Sequence, residues 1–185
     1  TAVREGLGGD AADDLVLAWC LKEFRSRHRG MDPAESQRSM ARLRAGCERA
    51  KRQLSQSTNA RIEVESAHEG VDFSAPLSRA KFDEMTSELF GGVLALAKAA
   101  MDAAGCGPAQ IGRVLLVGGP TRIPKIQALV QQAFPSSEVC ASVPPEEAVA
   151  IGTALQAQAL VGSKADTAAA HVDGVDVHVT PQDIL

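Results

Sequence analysis

Two glycines between a predicted strand and a predicted helix form the first candidate ligand site in this sequence. The run Val114–Val117 is short and apolar, which is typical of a strand buried on both faces. Gly118 and Gly119 follow directly, and glycine lets a backbone approach a ligand closely. The N–H groups that open the next helix have no partner within it and point outward. The pattern fits a ligand-binding edge, although a tight turn without a ligand has the same residues.

Four polar side chains share one face of a long predicted helix upstream of that turn. Glu48, Lys51, Arg52 and Ser55 are separated by helical spacings, so they lie next to one another beside the apolar stripe of the helix. Taken alone, this face fits an exposed Glu48–Arg52 ion pair, which stabilises a helix by about 0.3–0.5 kcal/mol. A ligand-binding face is the competing interpretation.

Composition and charge exclude several classes of protein. The chain has 185 residues, enough for one domain or two small subdomains, and its hydrophobic and charged fractions are ordinary for a globular protein. The formal net charge of −4 implies no general affinity for nucleic acid or for an anionic membrane. No run of about 18 apolar residues occurs, so we expect no transmembrane helix. The sequence starts without a methionine or a signal-peptide pattern, as a fragment of a cytoplasmic protein would.

The four cysteines give no sign of a metal site or a disulfide framework. None forms a CxxC pair, and no Cys or His group has the spacing of a zinc site. Cys20 and Cys47 fall on apolar helical positions, so we expect small core residues in a reducing compartment. The four histidines are scattered, and none accompanies a Ser or Cys nucleophile, so no catalytic triad is expected.

Hydrophobic periodicity predicts an α/β protein with the order α–α–β–β–α–β–α–β–α, then a linker and a last strand. Period-two alternation predicts a hairpin over about 59–76, and Gly91 and Gly92 inside a helix predict close passage of another element. Only two strands, near 114 and 139, can join the C-terminal helices. We therefore expect further strands from chain before Thr1 or from a partner. The expected helices cover about 10–29, 33–55, 78–105, 126–134 and 146–161.

Five motifs in order closely resemble the seventy-kilodalton heat-shock chaperones, the DnaK type. They resemble the second lobe of the nucleotide-binding domain in that family and extend over about 7–160. The resemblance implies an actin/hexokinase-like ATPase fold, with two lobes around a nucleotide cleft. The motifs are LGGD at Leu7–Asp10, CERAKRQLSQST at Cys47–Thr58, LSRAKFDE at Leu77–Glu84, VGGPTRIPKIQ at Val117–Gln127 and PPEEAVAIGTALQA at Pro144–Ala157.

The resemblance also implies which residues bind nucleotide, with ATP or ADP as the ligand. On the helix, Arg52 would stack on the adenine while Glu48 and Lys51 would hydrogen-bond the ribose. The implied site residues are Gly9, near the sugar and phosphates, Glu48, Lys51, Arg52 and Ser55 on one wall, and Gly118, Gly119 and Arg122 on the other. Magnesium would be bound mainly by residues outside this stretch, so this stretch alone would not hydrolyse ATP.

Three departures from the family pattern affect function. Pro120 stands where the family has serine, which removes a hydroxyl and a backbone N–H beside the adenine pocket. Ala12 replaces an aromatic residue, and the linker stretch AAAHVDGV at Ala168–Val175 replaces a leucine-rich acidic run. The segment 175–185 resembles an atypical, ribosome-associated cytosolic branch of the family. Members of that branch often bind nucleotide without needing to hydrolyse it.

The implied organisation has three parts. Residues 1–162 form the second lobe, with a small outer α/β subdomain at about 30–105, a linker follows at 163–172, and residues 173–185 begin a β peptide-binding domain. The implied partners are a J-domain co-chaperone, a nucleotide exchange factor and unfolded client peptides, with no nucleic acid or membrane. The competing function is a non-hydrolysing scaffold or co-chaperone subunit of a larger assembly, which the altered linker and Pro120 favour.

Overall fold

A computed structural model describes residues 1–140, 142–162, 171–172 and 175–176. The first helix, α1, spans Gly9–Arg27, and the second, α2, spans Gln37–Gln56. A hairpin of antiparallel strands follows, with β1 at Asn59–His68 and β2 at Val71–Ser78. This confirms the hairpin that alternation predicted over 59–76.

The start of α2 lies later than the sequence predicted. The side chain of Asp32 accepts a hydrogen bond from the Ala34 backbone N–H at 2.9 Å, as expected of a cap, but it caps only the short 3-10 helix Pro33–Glu35. Ser36 then caps α2 by accepting a hydrogen bond from the Ser39 N–H at 3.3 Å. The helix predicted from 33 is therefore two elements, because a second capping side chain, that of Ser36, begins a new helix.

The main core lies between α1, α2 and the inner face of the hairpin. Residues on one stripe of each helix meet alternate residues of β1 and β2, which places Ile62 and Ala75 opposite each other. Close passage of α2 over β1 depends on Gly46, since a β-carbon there would lie 2.8 Å from Val64 Cγ2. The buried residues of this core include Ala12, Val16, Cys20, Phe24, Leu43, Cys47, Ala50, Leu54, Ile62, Phe73 and Leu77.

Cys20 and Cys47 are both core residues, as the sequence predicted. Both side chains are fully buried, and their Sγ atoms lie 3.7 Å apart across the α1–α2 interface. Both are free thiols. Contact with Cys47, together with burial, raises the pKa of the Cys20 thiol.

The single helix predicted over 78–105 is wrong, because the chain forms two helices there. The first, α3, spans Arg79–Met85, and the second, α4, spans Ser87–Ala104. The break falls at Thr86, which is fully buried and donates its hydroxyl hydrogen to the Phe82 carbonyl oxygen at 2.8 Å. A threonine hydroxyl that bonds back to the preceding turn competes with regular helix geometry.

The N-terminal segment crosses α4 at one of the two predicted glycines. A β-carbon on Gly92 would lie 3.0 Å from Leu7 Cδ2, whereas one on Gly91 would meet no atom within 4 Å. The predicted close passage is thus confirmed at Gly92 only. On α4 itself only Phe90 is fully buried, whereas Val93 and Leu96 are partly exposed.

A second, smaller sheet pairs two parallel strands, β3 at Arg113–Leu115 and β4 at Glu138–Cys140. The prediction that β3 is buried on both faces is wrong, since the side chain of Leu115 is 54% exposed. Leu115 is exposed because a sheet of two strands leaves apolar side chains uncovered. The described residues contribute only these two strands to the sheet, as predicted.

The remaining elements lie before, between and after these two strands in the sequence. A 3-10 helix at Gly119–Arg122, together with Gly118, is here called the glycine turn, and it leads into α5 at Pro124–Ala133. Helix α6 spans Ala148–Gly162, and its side chains over 148–160 are largely exposed. A further short 3-10 helix spans Pro108–Gln110.

Two short antiparallel strands lie near the predicted domain boundary. Strand β5 at His171–Val172 pairs with β6 at Val175–Asp176. The first strand falls at the end of the predicted linker and the second at the start of the predicted last strand. The rest of that linker, at 163–170, and the remainder of the strand lie outside the described residues. Across the described part of the chain, no helix is long and apolar enough to cross a membrane.

Candidate functional site

A cavity of about 770 Å³ lies between α2, the start of α1 and the glycine turn. Of the eight site residues predicted, seven line this cavity, and only Gly118 does not. The predicted residues that it brings together are Gly9, Glu48, Lys51, Arg52, Ser55, Gly119 and Arg122. The structure adds Asp10, Gln56, Pro120, Ile123, Pro124, Gln127 and Glu146 to the lining.

The exposed part of the α2 wall is an ion pair. Arg52 donates to Glu48 Oε1 at 2.6 Å across one helical turn, and the Arg52 side chain remains 77% exposed. As an exposed pair it adds little to stability, in line with the interpretation that needs no ligand. The same contact holds the planar guanidinium at the edge of the cavity, where its faces are free to stack on a flat ring.

Lys51 lies deeper in the α2 wall and is bonded to α1. Its Nζ donates to the Asp13 carboxylate at 2.6 Å and to the Gly9 carbonyl oxygen at 3.1 Å, and both side chains of the ion pair are largely buried. Burial raises the pKa of the Asp13 carboxyl, and Lys51 opposes that rise. Asp13 was not among the predicted site residues, and its only signal in the sequence was its place one turn into α1.

The glycine turn differs in detail from the sequence expectation. Gly118 has φ +93°, a conformation that favours glycine, and its N–H donates to the Pro145 carbonyl oxygen at 2.8 Å. That N–H is therefore satisfied within the protein and is not available to a ligand. The Gly118 carbonyl oxygen is likewise occupied, since it accepts from the Thr121 hydroxyl at 2.8 Å. Gly119 supplies the bare backbone that reaches the cavity.

Pro120 lines the cavity close to Gly9. A β-carbon on Gly9 would lie 2.9 Å from Pro120 Cγ and 3.2 Å from Lys51 Nζ, so the start of α1 has no room for a side chain there. As a proline, residue 120 contributes no backbone N–H and no hydroxyl to the cavity.

Arg122 is held by a two-point contact with Glu146. Its Nε and a terminal nitrogen donate to the two carboxylate oxygens at 3.0 and 2.7 Å. The guanidinium lowers the pKa of the Glu146 carboxyl, and the carboxylate in turn raises the pKa of Arg122. This contact fixes the plane of Arg122 at the wall opposite α2. No sequence pattern indicated it, because the two residues are distant along the chain.

Within the described residues, no group of three or more His, Cys, Asp or Glu side chains is placed to hold a metal ion. The cavity offers two arginines, one largely buried lysine, several carboxylates and a bare glycine backbone. Such a set can bind a flat, polar, hydroxyl-bearing molecule through stacking and hydrogen bonds.

Comparison with known proteins identifies the family. A family model described as "Hsp70 protein" matches residues 1–179. The chain belongs to the Hsp70 family. This confirms the family that the five sequence motifs indicated, and with it the α/β, actin-like ATPase fold of the Hsp70 nucleotide-binding domain.

Curated proteins similar to this Hsp70 chain are also named as heat shock 70 kDa proteins. Heat shock cognate 70 kDa protein 3 of Dictyostelium discoideum is 40% identical over 164 residues, which cover 89% of this chain and 26% of that protein. A heat shock 70 kDa protein of Neurospora crassa is 37% identical over 177 residues, which cover 96% of this chain and 27% of that protein. Heat shock 70 kDa protein II of Paracentrotus lividus is 43% identical over 145 residues, covering 78% and 38% respectively. The chain thus spans about a quarter of the length of the first two relatives.

Proposed function

We propose that residues 1–162 are the second lobe of an Hsp70 nucleotide-binding domain and that the cavity binds the adenosine of ATP or ADP. The observation that carries the proposal is the convergence of three distant segments, at Gly9, α2 and the glycine turn, on one cavity of about 770 Å³. That volume lies within the range of roughly 300–1,000 Å³ usual for small-molecule sites.

Each wall has a distinct role in this proposal. Arg52 stacks on one face of the adenine, with Glu48 holding its guanidinium in place at 2.6 Å. Glu48 and Lys51 accept from and donate to the ribose hydroxyls, and Ser55 adds a hydroxyl on the same helical face. The opposite wall is the Gly119 backbone together with Arg122, which Glu146 holds in plane.

The residues present fit a nucleotide at the other end of the cavity as well. Gly9 has no room for a β-carbon beside Pro120 and Lys51, so the backbone itself borders the cavity where the sugar and phosphates would lie. Bound ATP supplies the transferable phosphoryl group. We assign no hydrolytic step to this stretch, and magnesium would be held mainly by residues outside it.

We extend the proposal to the whole protein as a cytoplasmic molecular chaperone. Its partners would be a J-domain co-chaperone, a nucleotide exchange factor and unfolded client peptides, the last bound through a β domain that begins at 173–185 after a linker at 163–172. Placement in the ribosome-associated branch is part of the same proposal and rests on the sequence of segment 175–185.

A scaffold or co-chaperone subunit that does not hydrolyse ATP is the second candidate. One observation favours it: Pro120 lines the cavity at a position where the family has serine, and it offers the ligand neither a hydroxyl nor an N–H. In that case the fold would be kept for assembly with a larger complex.

Calorimetric titration of the full-length gene product with ATP and with ADP tests the proposal. We expect binding of both, weakened about tenfold by Arg52→Ala, because a stacking and ion-paired guanidinium is lost. The matched control is Arg44→Ala, which removes an arginine of the same helix that pairs with Asp14 away from the cavity. Its dissociation constant should stay within about twofold of the parent value.

Two results would overturn the proposal. If the parent protein binds neither nucleotide, the cavity is not a nucleotide site and the scaffold function takes its place. If Arg52→Ala and Arg44→Ala bind ATP as the parent does, nucleotide binds elsewhere in the protein.

A further inference from the structure

The buried ion pair between α1 and α2 stands out among the charged contacts of the described residues. Nine of the ten ion pairs recorded there join side chains that are each at least 34% exposed. The Lys51–Asp13 pair, in contrast, is 12% and 6% exposed, with a distance of 2.6 Å. Burying two charges costs free energy that a short contact offsets only in part.

Asp13 is incompletely satisfied in this position. Its Oδ2 accepts from Lys51, whereas its Oδ1 is buried and has no hydrogen-bond partner among the described residues. Burial is also the largest cause of the raised pKa of this carboxyl. A buried polar atom without a partner costs stability, so a role other than stabilising the fold is the natural explanation for this carboxylate.

The geometry of Lys51 shows what that role is. An ammonium has three N–H donors. One goes to the Asp13 carboxylate at 2.6 Å and a second to the Gly9 carbonyl oxygen at 3.1 Å. Lys51 nevertheless borders the cavity, so the third N–H is the one left for a ligand. With two donors fixed on α1, the direction of the third is fixed as well.

We infer that Asp13 is a positioning residue, which holds the Lys51 ammonium so that its remaining N–H donates to a ribose hydroxyl of the bound nucleotide. The inference rests on the proposed function and deepens it, since it adds a residue that orients the contact between Lys51 and the ribose. Asp13 itself does not line the cavity and acts only through Lys51.

Loss of the Asp13 charge would release Lys51 toward other acidic groups. Glu48 and Asp10 both act electrostatically on Asp13, and both line the cavity. A lysine that turned to Glu48 would compete with Arg52 for the same carboxylate. Asp13 therefore keeps Lys51 and Arg52 on separate partners.

The test compares ATP with 2′,3′-dideoxyATP, which lacks both ribose hydroxyls, by titration into the full-length gene product. The variant is Asp13→Asn, which keeps the shape of the side chain and removes its charge. We expect it to bind ATP about tenfold more weakly than the parent and to bind the dideoxy analogue within about twofold of the parent, because a charge-assisted hydrogen bond to the sugar is lost.

Two further variants serve as controls. Asp14→Asn makes the same chemical change one residue later on α1, where the carboxylate pairs with Arg44 at 2.6 Å on the exposed surface. It should bind both nucleotides as the parent does. Lys51→Met should reproduce the loss for ATP, and adding Asp13→Asn to it should cause no further loss. The double variant also leaves no buried unpaired ammonium, should Asp13→Asn alone fold poorly.

The possible outcomes are distinct. Equal weakening of ATP and the dideoxy analogue by Asp13→Asn would mean that Asp13 serves the fold only, and the inference would be wrong. ATP affinity within about twofold of the parent would overturn it too, while leaving the proposed function intact. Failure of the parent to bind any nucleotide would overturn both.

Discussion

Pro120 and Gly9 meet so closely that Cγ of the proline lies 2.9 Å from the position of a β-carbon on the glycine. This contact joins the glycine turn to the start of α1, which are distant along the chain. A separation below 3.0 Å is shorter than real carbon contacts, so any side chain at residue 9 must displace the proline ring or Lys51.

Gly9→Ala should therefore weaken ATP binding by the full-length gene product. The added methyl group overlaps Pro120 and lies 3.2 Å from Lys51 Nζ, and overpacking of this kind costs about 1–3 kcal/mol. We expect a loss of about tenfold in affinity, measured by calorimetric titration. The control is Gly8→Ser, since a β-carbon there meets nothing within 4 Å and serine suits this capping position. Equal affinity of both variants and the parent would contradict the close packing.

Pro120→Ser should tighten ATP binding. Serine restores a hydroxyl and a backbone N–H at the edge of the cavity, each worth about 0.5–1.5 kcal/mol where it finds a partner. We expect an affinity about tenfold higher. Serine also lacks Cγ at this position, so Gly9→Ala should cost less in the Pro120→Ser background than in the parent. Additive effects of the two changes would show that the residues act independently.

Gly46→Ala should destabilise the protein although alanine favours helices. A β-carbon at residue 46 would lie 2.8 Å from Val64 Cγ2, so α2 must move away from β1. The overlap costs about 1–3 kcal/mol and exceeds the helix gain of roughly 1 kcal/mol. Urea unfolding of the full-length gene product measures the difference. Gly91→Ala is the matched control, because it sits in α4 with open space around its β-carbon and should stabilise slightly. Val64→Ala combined with Gly46→Ala should relieve the overlap.

The sequence predicted those parts of the fold that depend on local patterns. Period-two alternation located the hairpin, and apolar spacing located α1, α2 and α5, because both signals come from which face of an element is buried. The break at Thr86 was not predictable in this way. It depends on a side-chain hydroxyl that bonds to the Phe82 carbonyl oxygen, and threonine is also common within uninterrupted helices.

Some residues of the candidate site could be predicted from local sequence patterns, and others could not. Residues on one helix face, such as Glu48 and Arg52, could be grouped from their spacing alone. Asp13 and Glu146 could not, because each is paired with a residue far away in sequence. The satisfied N–H of Gly118 was missed for the same reason, since its partner is the Pro145 carbonyl oxygen.

The Asp32 carboxylate should make stability depend on pH in the acid range. Its ion pair with Arg25, at 2.8 Å, and the hydrogen bond from the Ala34 N–H both lower its pKa. A lowered carboxyl pKa means that the stabilisation is present above the usual value near 4 and is lost as pH falls through the lowered pKa. Asp32→Asn keeps the cap but removes the charge.

We therefore expect Asp32→Asn to lower the thermal midpoint of the full-length gene product at about pH 7. The gap between variant and parent should close below about pH 4, where the parent carboxylate becomes protonated. Thermal unfolding followed from about pH 7 to about pH 2.5 measures this gap. A gap that stays constant over the whole range would show that the difference in thermal midpoint does not come from the charge of Asp32.

The buried thiols of Cys20 and Cys47 allow the separation of α1 from α2 to be followed by the rate of thiol labelling. A thiol reagent can react with either sulfur only while the two helices are apart, because both side chains are fully buried against each other. Cys106 and Cys140, which are partly exposed, react without that step. The rate of the slow labelling phase thus measures how often the α1–α2 interface opens, and the Lys51–Asp13 pair bridges the same interface. A ligand that binds to Lys51 should therefore change the rate of that phase.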